Sequence, residues 1–324
     1  MRKDFCLCFN DAYVPYASVT IQSIWQHTVG EVHIHVLTDY LSEQNIQFLK
    51  RWNVEIYMVE DDKIFDGIDV SVWSKYTLYR LFLPNYLDKG IRKILYLDCD
   101  VIVNGSLDEL FNLDMSDMAV GGCIDTLTYS DEVFTRLGYD YSDGYICAGV
   151  LLMNLDYWRN ANLSTRIINY MKSNPDKIAF LEQDALNLLC CNNKIILPAR
   201  YGVQVPFFRN DKFIEEHIDE LEELIERPTI VHFAGYQPWI YCKNKSLHSR
   251  LWWDTYKSLK AFPQVKVDYV KSIVKYLGRY ILSKLHLIGE YNKYHINQYY
   301  KAQGGLSVAD GCRCLTKELD MIAC

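Results

Sequence analysis

No apolar run in the 324-residue chain reaches the ~18 residues that a membrane-spanning helix requires. Excess positive charge is missing as well. The 34 Lys+Arg against 41 Asp+Glu leave a net charge of −7, whereas phosphate-backbone contacts need clustered cations, so no nucleic-acid partner is expected. Internal repeats and low-complexity tracts are absent. The 11 cysteines are odd in number, and Cys190-Cys191 and Cys312-Cys314 lack a second pair at zinc-site spacing. Reduced thiols in a cytoplasmic protein are the expectation. No glycine follows the first apolar stretch: Asn10-Asp11-Ala12-Tyr13 stands where a nucleotidyltransferase carries its Gly-rich phosphate loop. Met1–Cys8 has only a short apolar stretch before polar Asn10-Asp11, and reads as a first strand rather than a signal peptide.

What is present is an ordinary globular balance, 50% hydrophobic and 23% charged. Strand patterns at Phe5–Phe9, Val32–Thr38 and Val54–Val59 alternate with helical ones at Tyr16–Gln26 and after Ser42, which caps the second helix. Tyr76–Leu87 also reads as helical. Lys93–Val103 is a continuous apolar run broken only by two aspartates, which suits a buried parallel strand. Such alternation predicts a doubly wound α/β sheet, with ligands outside the carboxyl ends of its strands.

Composition shifts near Trp239. Tyr241–Lys301 carries 12 Lys+Arg and 3 Asp+Glu, a net of +9, leaving −16 for the remainder. Val270, Ile273, Val274, Leu277, Ile281 and Leu285 recur at helical spacing, with Lys271, Lys275 and Arg279 four apart. This basic amphipathic pattern fits a surface helix, or peripheral contact with an anionic membrane through 241–301. The division expected is 1–245 as catalytic domain and 246–324 as a C-terminal helical basic segment. Gln303–Cys324 carries no signal.

Asp98-Cys99-Asp100 interrupts an apolar strand. Buried unpaired carboxylates are costly. A sharp turn after Tyr96-Leu97 would converge both at the strand's carboxyl end, where a divalent cation relieves their repulsion. His232, delivered by the apolar strand Thr229–Phe233, would tilt such a site toward Mn²⁺ over Mg²⁺. Gly235 follows and would let backbone approach a phosphate. The small residues Cys147-Ala148-Gly149 would let a ligand approach another strand. Glu182-Gln183-Asp184 opens a helix, where acids also serve as caps.

In this order the pieces resemble the retaining glycosyltransferases of family 8, which include glycogenin and bacterial lipopolysaccharide galactosyl- and glucosyltransferases. The matching strings are NDAY at Asn10–Tyr13, YRL at Tyr79–Leu81, YLDCDVIV at Tyr96–Val103, CAGVLLMNLDYWR at Cys147–Arg159, EQDALN at Glu182–Asn187 and HFAGYQPW at His232–Trp239. The resemblance implies a GT-A nucleotide-sugar fold, Rossmann-like, with a mostly parallel central sheet. It implies transfer of glucose or galactose from UDP-glucose or UDP-galactose, with retention, to a saccharide or glycolipid acceptor of the cell envelope. A cytoplasmic protein, peripheral at the inner face of the plasma membrane, follows from the same resemblance and the basic segment.

It also implies roles. Asp98, Asp100 and His232 would hold Mn²⁺, with Mg²⁺ as the second choice, and Cys99 lies between the carboxylates. Leu7, Phe9, Asn10 and Tyr13 would meet uracil and ribose, and Arg80 the donor. Asp125, Cys147, Ala148 and Gly149 would lie along the donor sugar, with Glu182 and Gln183 beside the anomeric carbon and Gly235 and Gln237 near the diphosphate. Cys147 replaces a common Asn, Glu182 a common Asp, and Gln237 the usual Lys before Pro-Trp. These departures leave a second reading open, a UDP-sugar-binding module with weak or no turnover.

Overall fold

The computed structural model describes residues 2–239 and 247–259, with the isolated positions 282 and 285. The amphipathic pattern over 270–285, Lys243, Lys245 and Gln303–Cys324 otherwise lie outside the described residues, as does the boundary expected at 245.

The strands are β1 (Arg2–Cys8), β2 (Glu31–Thr38), β3 (Val54–Met58), β4 (Lys93–Leu97), β5 (Val101–Val103), β6 (Val120–Ile124), β7 (Ile146–Asn154), β8 (Lys194–Leu197) and β9 (Ile230–His232). Seven form one sheet in the order β3-β2-β1-β4-β7-β6-β8, and β5 pairs with β9 in a small second sheet. The large sheet is parallel except around β7, which runs antiparallel to both β4 and β6. All nine residues of β7 are buried, as a central strand covered on both faces requires. Side-chain alternation divides the core between the two faces of the sheet. Phe5, Leu7 and Phe9 of the β1 segment face one half, and Cys6 and Cys8 the other.

Several sequence expectations change in detail. Lys93–Val103 is two strands. The chain leaves the large sheet after Leu97, turns through Asp98–Asp100, and enters the small sheet at Val101, where it pairs with His232. Carboxylates cannot remain in a doubly covered strand, so the run breaks where they occur. Tyr76–Leu87 is a 3₁₀ segment (Lys75–Phe82) followed by a short α-helix (Leu83–Tyr86). Pro84 lies in the first turn of that α-helix, where its fixed φ suits the helix and its missing amide hydrogen breaks the preceding 3₁₀ ladder. The Ser42 cap forms, accepting from the Asn45 amide at 3.4 Å.

Beyond residue 246, the helix Ser249–Ser258 lies on the helix Val14–His27. Its Trp252 is fully buried and packs on Trp239, with ring centroids 5.0 Å apart, so this stretch shares the core of the sheet domain. Arg250 and Lys257 of the same helix stay exposed. No helix among the described residues is long and apolar enough to cross a membrane. The seven cysteines among them are free thiols.

Candidate active site

The strand directions bring one edge of the sheet together. β1, β4 and β6 end there, and β7, running the other way, begins there. A cleft of about 660 Å³ opens along this edge. Asp98 follows β4, and its amide donates to the Gly149 carbonyl on β7 at 2.9 Å. From beneath, Thr20 of the helix Val14–His27 donates to the Cys99 and Val101 carbonyls at 3.0 and 2.8 Å, fixing the turn that presents both aspartates.

His232, the last residue of β9, meets them. Its Nε2 is 3.2 Å from Asp100 Oδ1 and 3.8 Å from Asp98 Oδ2. One ligand atom from each of the three lies within 4.8 Å of the others. Burial works against a charged imidazole, but Asp100 beside it, and Cys147, lift the His232 pKa well above its usual value. Burial likewise opposes the Asp100 carboxylate, and here too His232 prevails, with the Gln237 amide at 3.0 Å, holding its pKa below the usual range. The imidazole must shed its proton before Nε2 can hold a cation. Its other nitrogen, Nδ1, faces Cys147 Sγ at 3.5 Å. Gly149 makes room for the ring. A Cβ built there would fall 2.1 Å from His232 Cε1. Two carboxylates and an imidazole in an open cleft form a donor set that suits a divalent cation such as Mn²⁺.

Arg80 is the second organising group. It is 2% exposed, lies over the Tyr96 ring at 4.2 Å, and joins Asp98 Oδ1 at 3.0 Å to Glu182 Oε1 at 3.1 Å. Its guanidinium also donates to the carbonyls of Thr77 and Ala148. A planar fork with five donors can serve all four partners at once; an ammonium cannot. Tyr96 adds a hydroxyl to Asp98 Oδ1 at 2.7 Å.

Glu182 and Gln183 open the helix Leu181–Leu189. Leu181 has a φ of +46°, a left-handed conformation unusual for leucine that turns the helix start into the cleft. Asn187 anchors the same helix by accepting from the Ile146 amide and donating to its carbonyl, each at 2.8 Å. Glu182 is buried, which raises its pKa against the pull of Arg80, and its Oε2 has no partner. Gln183 accepts from the Ala148 amide at 2.8 Å and reaches Asp125 with its own amide at 3.4 Å. Burial raises the Asp125 pKa too. Asp184, by contrast, is structural. It is enclosed by Arg136, the Tyr145 hydroxyl and the Ala179 and Phe180 amides.

Phe9, Asn10 and Tyr13 line the cleft beyond β1, and Cys99, Ala148, Gly235 and Gln237 line it elsewhere. Gly235 has a φ of +69°, which glycine adopts without strain. Leu7 does not line the cleft. It is the next-to-last residue of β1, and its side chain is fully buried in the core. Tyr96 and Gln204 are among the cleft residues that carried no site expectation. Tyr96 was visible only as part of a string, and Gln204 sits in a stretch with no pattern to mark it.

The mostly parallel sheet, with the cleft at its edge, is a GT-A-type fold. Residues 5–243 match the family model Glycosyl transferase family 8. The chain belongs to that family, and is a glycosyltransferase. It is 24% identical over 242 residues to a lipopolysaccharide 1,2-glucosyltransferase of Escherichia coli, covering 71% of each chain. It is 24% identical over 257 residues to general stress protein A of Bacillus subtilis, covering 74% of this chain and 89% of that one. A lipopolysaccharide 1,3-galactosyltransferase of Salmonella typhimurium is also 24% identical, over 247 residues, covering 72% of this chain and 68% of that one. Among solved structures, the galactosyltransferase LgtC in complex with donor and acceptor sugar analogs superposes with a TM-score of 0.72 at 24% identity. It covers 81% of this chain and 98% of LgtC.

Proposed function

We propose that this chain transfers a hexose, glucose or galactose, from a UDP-sugar to a saccharide or glycolipid acceptor, with retention at the anomeric carbon. The observation that carries the reading is the convergence of Asp98, Asp100 and His232 in one cleft with Arg80, Glu182 and Gln183. Relatives that act on lipopolysaccharide with either sugar support the substrate class without choosing between the two.

The carboxylates and imidazole would hold Mn²⁺. When bound, such a cation supplies Lewis-acid stabilisation of negative charge on a departing diphosphate. The chain's own groups do the rest. Arg80 holds Asp98 and Glu182 in place, so neither must reorganise during reaction. The open turn at Gly235 leaves space for a diphosphate. Tyr13 and Asn10, at the end of β1, would face the nucleoside. Gln183 has its carbonyl oxygen occupied by the Ala148 amide, so it orients rather than attacks. Glu182 is tied to Arg80 by one oxygen, which weakens it as a nucleophile. Both features favour attack by the acceptor hydroxyl on the face that UDP leaves, the leaving phosphate taking the proton.

The exposed cations of Ser249–Ser258 and the net +9 over 241–301 support peripheral docking on an anionic membrane. Deleting 265–324 is expected to lower binding to anionic vesicles while sparing donor hydrolysis. The central test is UDP release from UDP-glucose and UDP-galactose with Mn²⁺, in the wild type and in Asp98→Ala. Turnover that survives Asp98→Ala would remove the metal-site assignment. A wild type that gains thermal stability from UDP plus Mn²⁺ yet releases nothing would instead mark a binding module.

A further inference from the structure

Gln204 is 3% exposed, its Nε2 has no hydrogen-bond partner, and it lines the cleft. Buried amides almost always find a partner, so an orphan on a residue that lines a ligand cavity points to a ligand as that partner. The residue is held firmly. The Val203 carbonyl accepts from the His232 amide at 2.9 Å, and the Gln204 carbonyl accepts from the Phe207 amide at 3.1 Å. Val203 and Val205 pack into a cluster with Ile124 and Tyr129, so the amide stands between the strand that brings His232 and the segment that brings Asp125. A neutral amide there offers no charge to a phosphate and suits a neutral hydroxyl. A hydroxyl both donates and accepts, so it satisfies the amide in either orientation. Depth separates donor from acceptor. Val72 and Trp73 at the mouth are 81% and 45% exposed, whereas Gln204 is sealed within.

We propose that Gln204 hydrogen-bonds a hydroxyl of the transferred hexose and so helps determine which UDP-hexose the enzyme accepts. This rests on the donor reading above, and adds to it a residue that reads the sugar rather than the nucleotide. Removing the amide leaves the hydroxyl buried and unpaired, a loss of about tenfold in affinity.

Titration calorimetry of the full chain with MnCl₂ tests it, using UDP, UDP-glucose and UDP-galactose as separate probes on wild type, Gln204→Met and Gln204→Asn. Gln204→Met keeps the length and removes the amide. Gln204→Asn withdraws the amide by one methylene, and answers the question should the first variant not fold. The expected result is unchanged UDP binding with about tenfold weaker binding of the preferred UDP-hexose. Equal weakening toward UDP and UDP-hexose, or no weakening at all, overturns the role of Gln204 and leaves the donor reading standing. A wild type that binds neither UDP nor either UDP-hexose overturns the donor reading, and Gln204 with it.

Discussion

Gly149→Ala is the sharpest probe of the metal site, because it alters no polar group. The glycine lies in β7 with an ordinary backbone conformation, so alanine meets no strain from the backbone itself. The obstacle is the ring of His232. The new methyl would lie 2.1 Å from Cε1, 2.7 Å from Nε2 and 2.8 Å from Nδ1. Carbon atoms rest about 3.5–4.0 Å apart, so the imidazole must retreat by about 1.5 Å. The backbone under Gly149 cannot retreat instead, because its carbonyl holds the Asp98 amide at 2.9 Å within a fully buried strand. Nε2 sits 3.2 Å from Asp100, and a shift of that size takes it out of reach of a cation shared with the two carboxylates.

The overpacking costs about 1–3 kcal/mol of stability. Misplacing a reacting or ligating group by ~1 Å costs about 100-fold in rate. Mn²⁺ binding, followed by the loss of the free-ion electron paramagnetic resonance signal, is expected to weaken at least as much as it does when a ligand's supporting residue is removed, about 10–100-fold. Gly121→Ala is the control. A Cβ there meets the side chains of Leu197, at 3.3 Å, and Leu152, at 3.7 Å, and no residue of the cleft, so Mn²⁺ affinity should be unchanged. Wild-type Mn²⁺ affinity in Gly149→Ala, with the fold intact, would refute the placement of His232 and the shared site with it.

Arg80→Met should lower stability by about 3–5 kcal/mol, read by urea denaturation, because Asp98 and Glu182 lose the buried cation that bridges them. Cys147→Val, which removes the group facing His232 Nδ1 while keeping bulk, should weaken Mn²⁺ binding about 10-fold with little change in melting temperature. Trp252→Ala should cost about 3–5 kcal/mol, since the ring is fully buried against Trp239. His248 is pushed down to about 4 by burial, with the Ile225 and Leu224 backbone opposing. The unfolded chain takes up this proton near pH 6.5 and the folded chain only near 4. Stability is therefore lost as pH falls through that window, by about 3 kcal/mol, and urea midpoints for His248→Gln should show a shallower decline between pH 6.5 and 4.

The residues that carry chemistry were legible because each interrupts a pattern. Asp98 and Asp100 break an apolar run, and His232 ends another. The route between them was less so. Nothing in Lys93–Val103 says that its last three residues leave the sheet, because partner choice is settled by β9, more than a hundred residues away. Strand direction was equally hidden. Ile146–Asn154 reads as a buried strand, but its antiparallel sense follows from the path of Asp125–Tyr145 rather than from its own composition. Glu182 and Asp184 show the limit of reading acids at a helix start as caps. Only tertiary contacts reveal that Asp184 receives the backbone amides while Glu182 meets Arg80. Gln204 had no pattern to break, and its orphaned amide is a property of the folded state.

The reversed strand is what makes the site possible. In a purely parallel sheet, small residues at the start of a strand lie at the edge opposite the carboxyl ends of its neighbours. β7 runs against β4, so Val150 pairs with Leu97, and the next residues outward, Gly149 and Asp98, face each other at the cleft. The same reversal sets Ile146 beside Ile124 at the end of β6, and brings Asp125 alongside Tyr145. One change of direction thus gathers the Asp98 turn, the room for the His232 imidazole and the Ala148 amide that Gln183 accepts from. Mutations that weaken the start of β7 should therefore impair cation binding and sugar positioning together, whereas changes at its far end near Asn154 should lower stability alone.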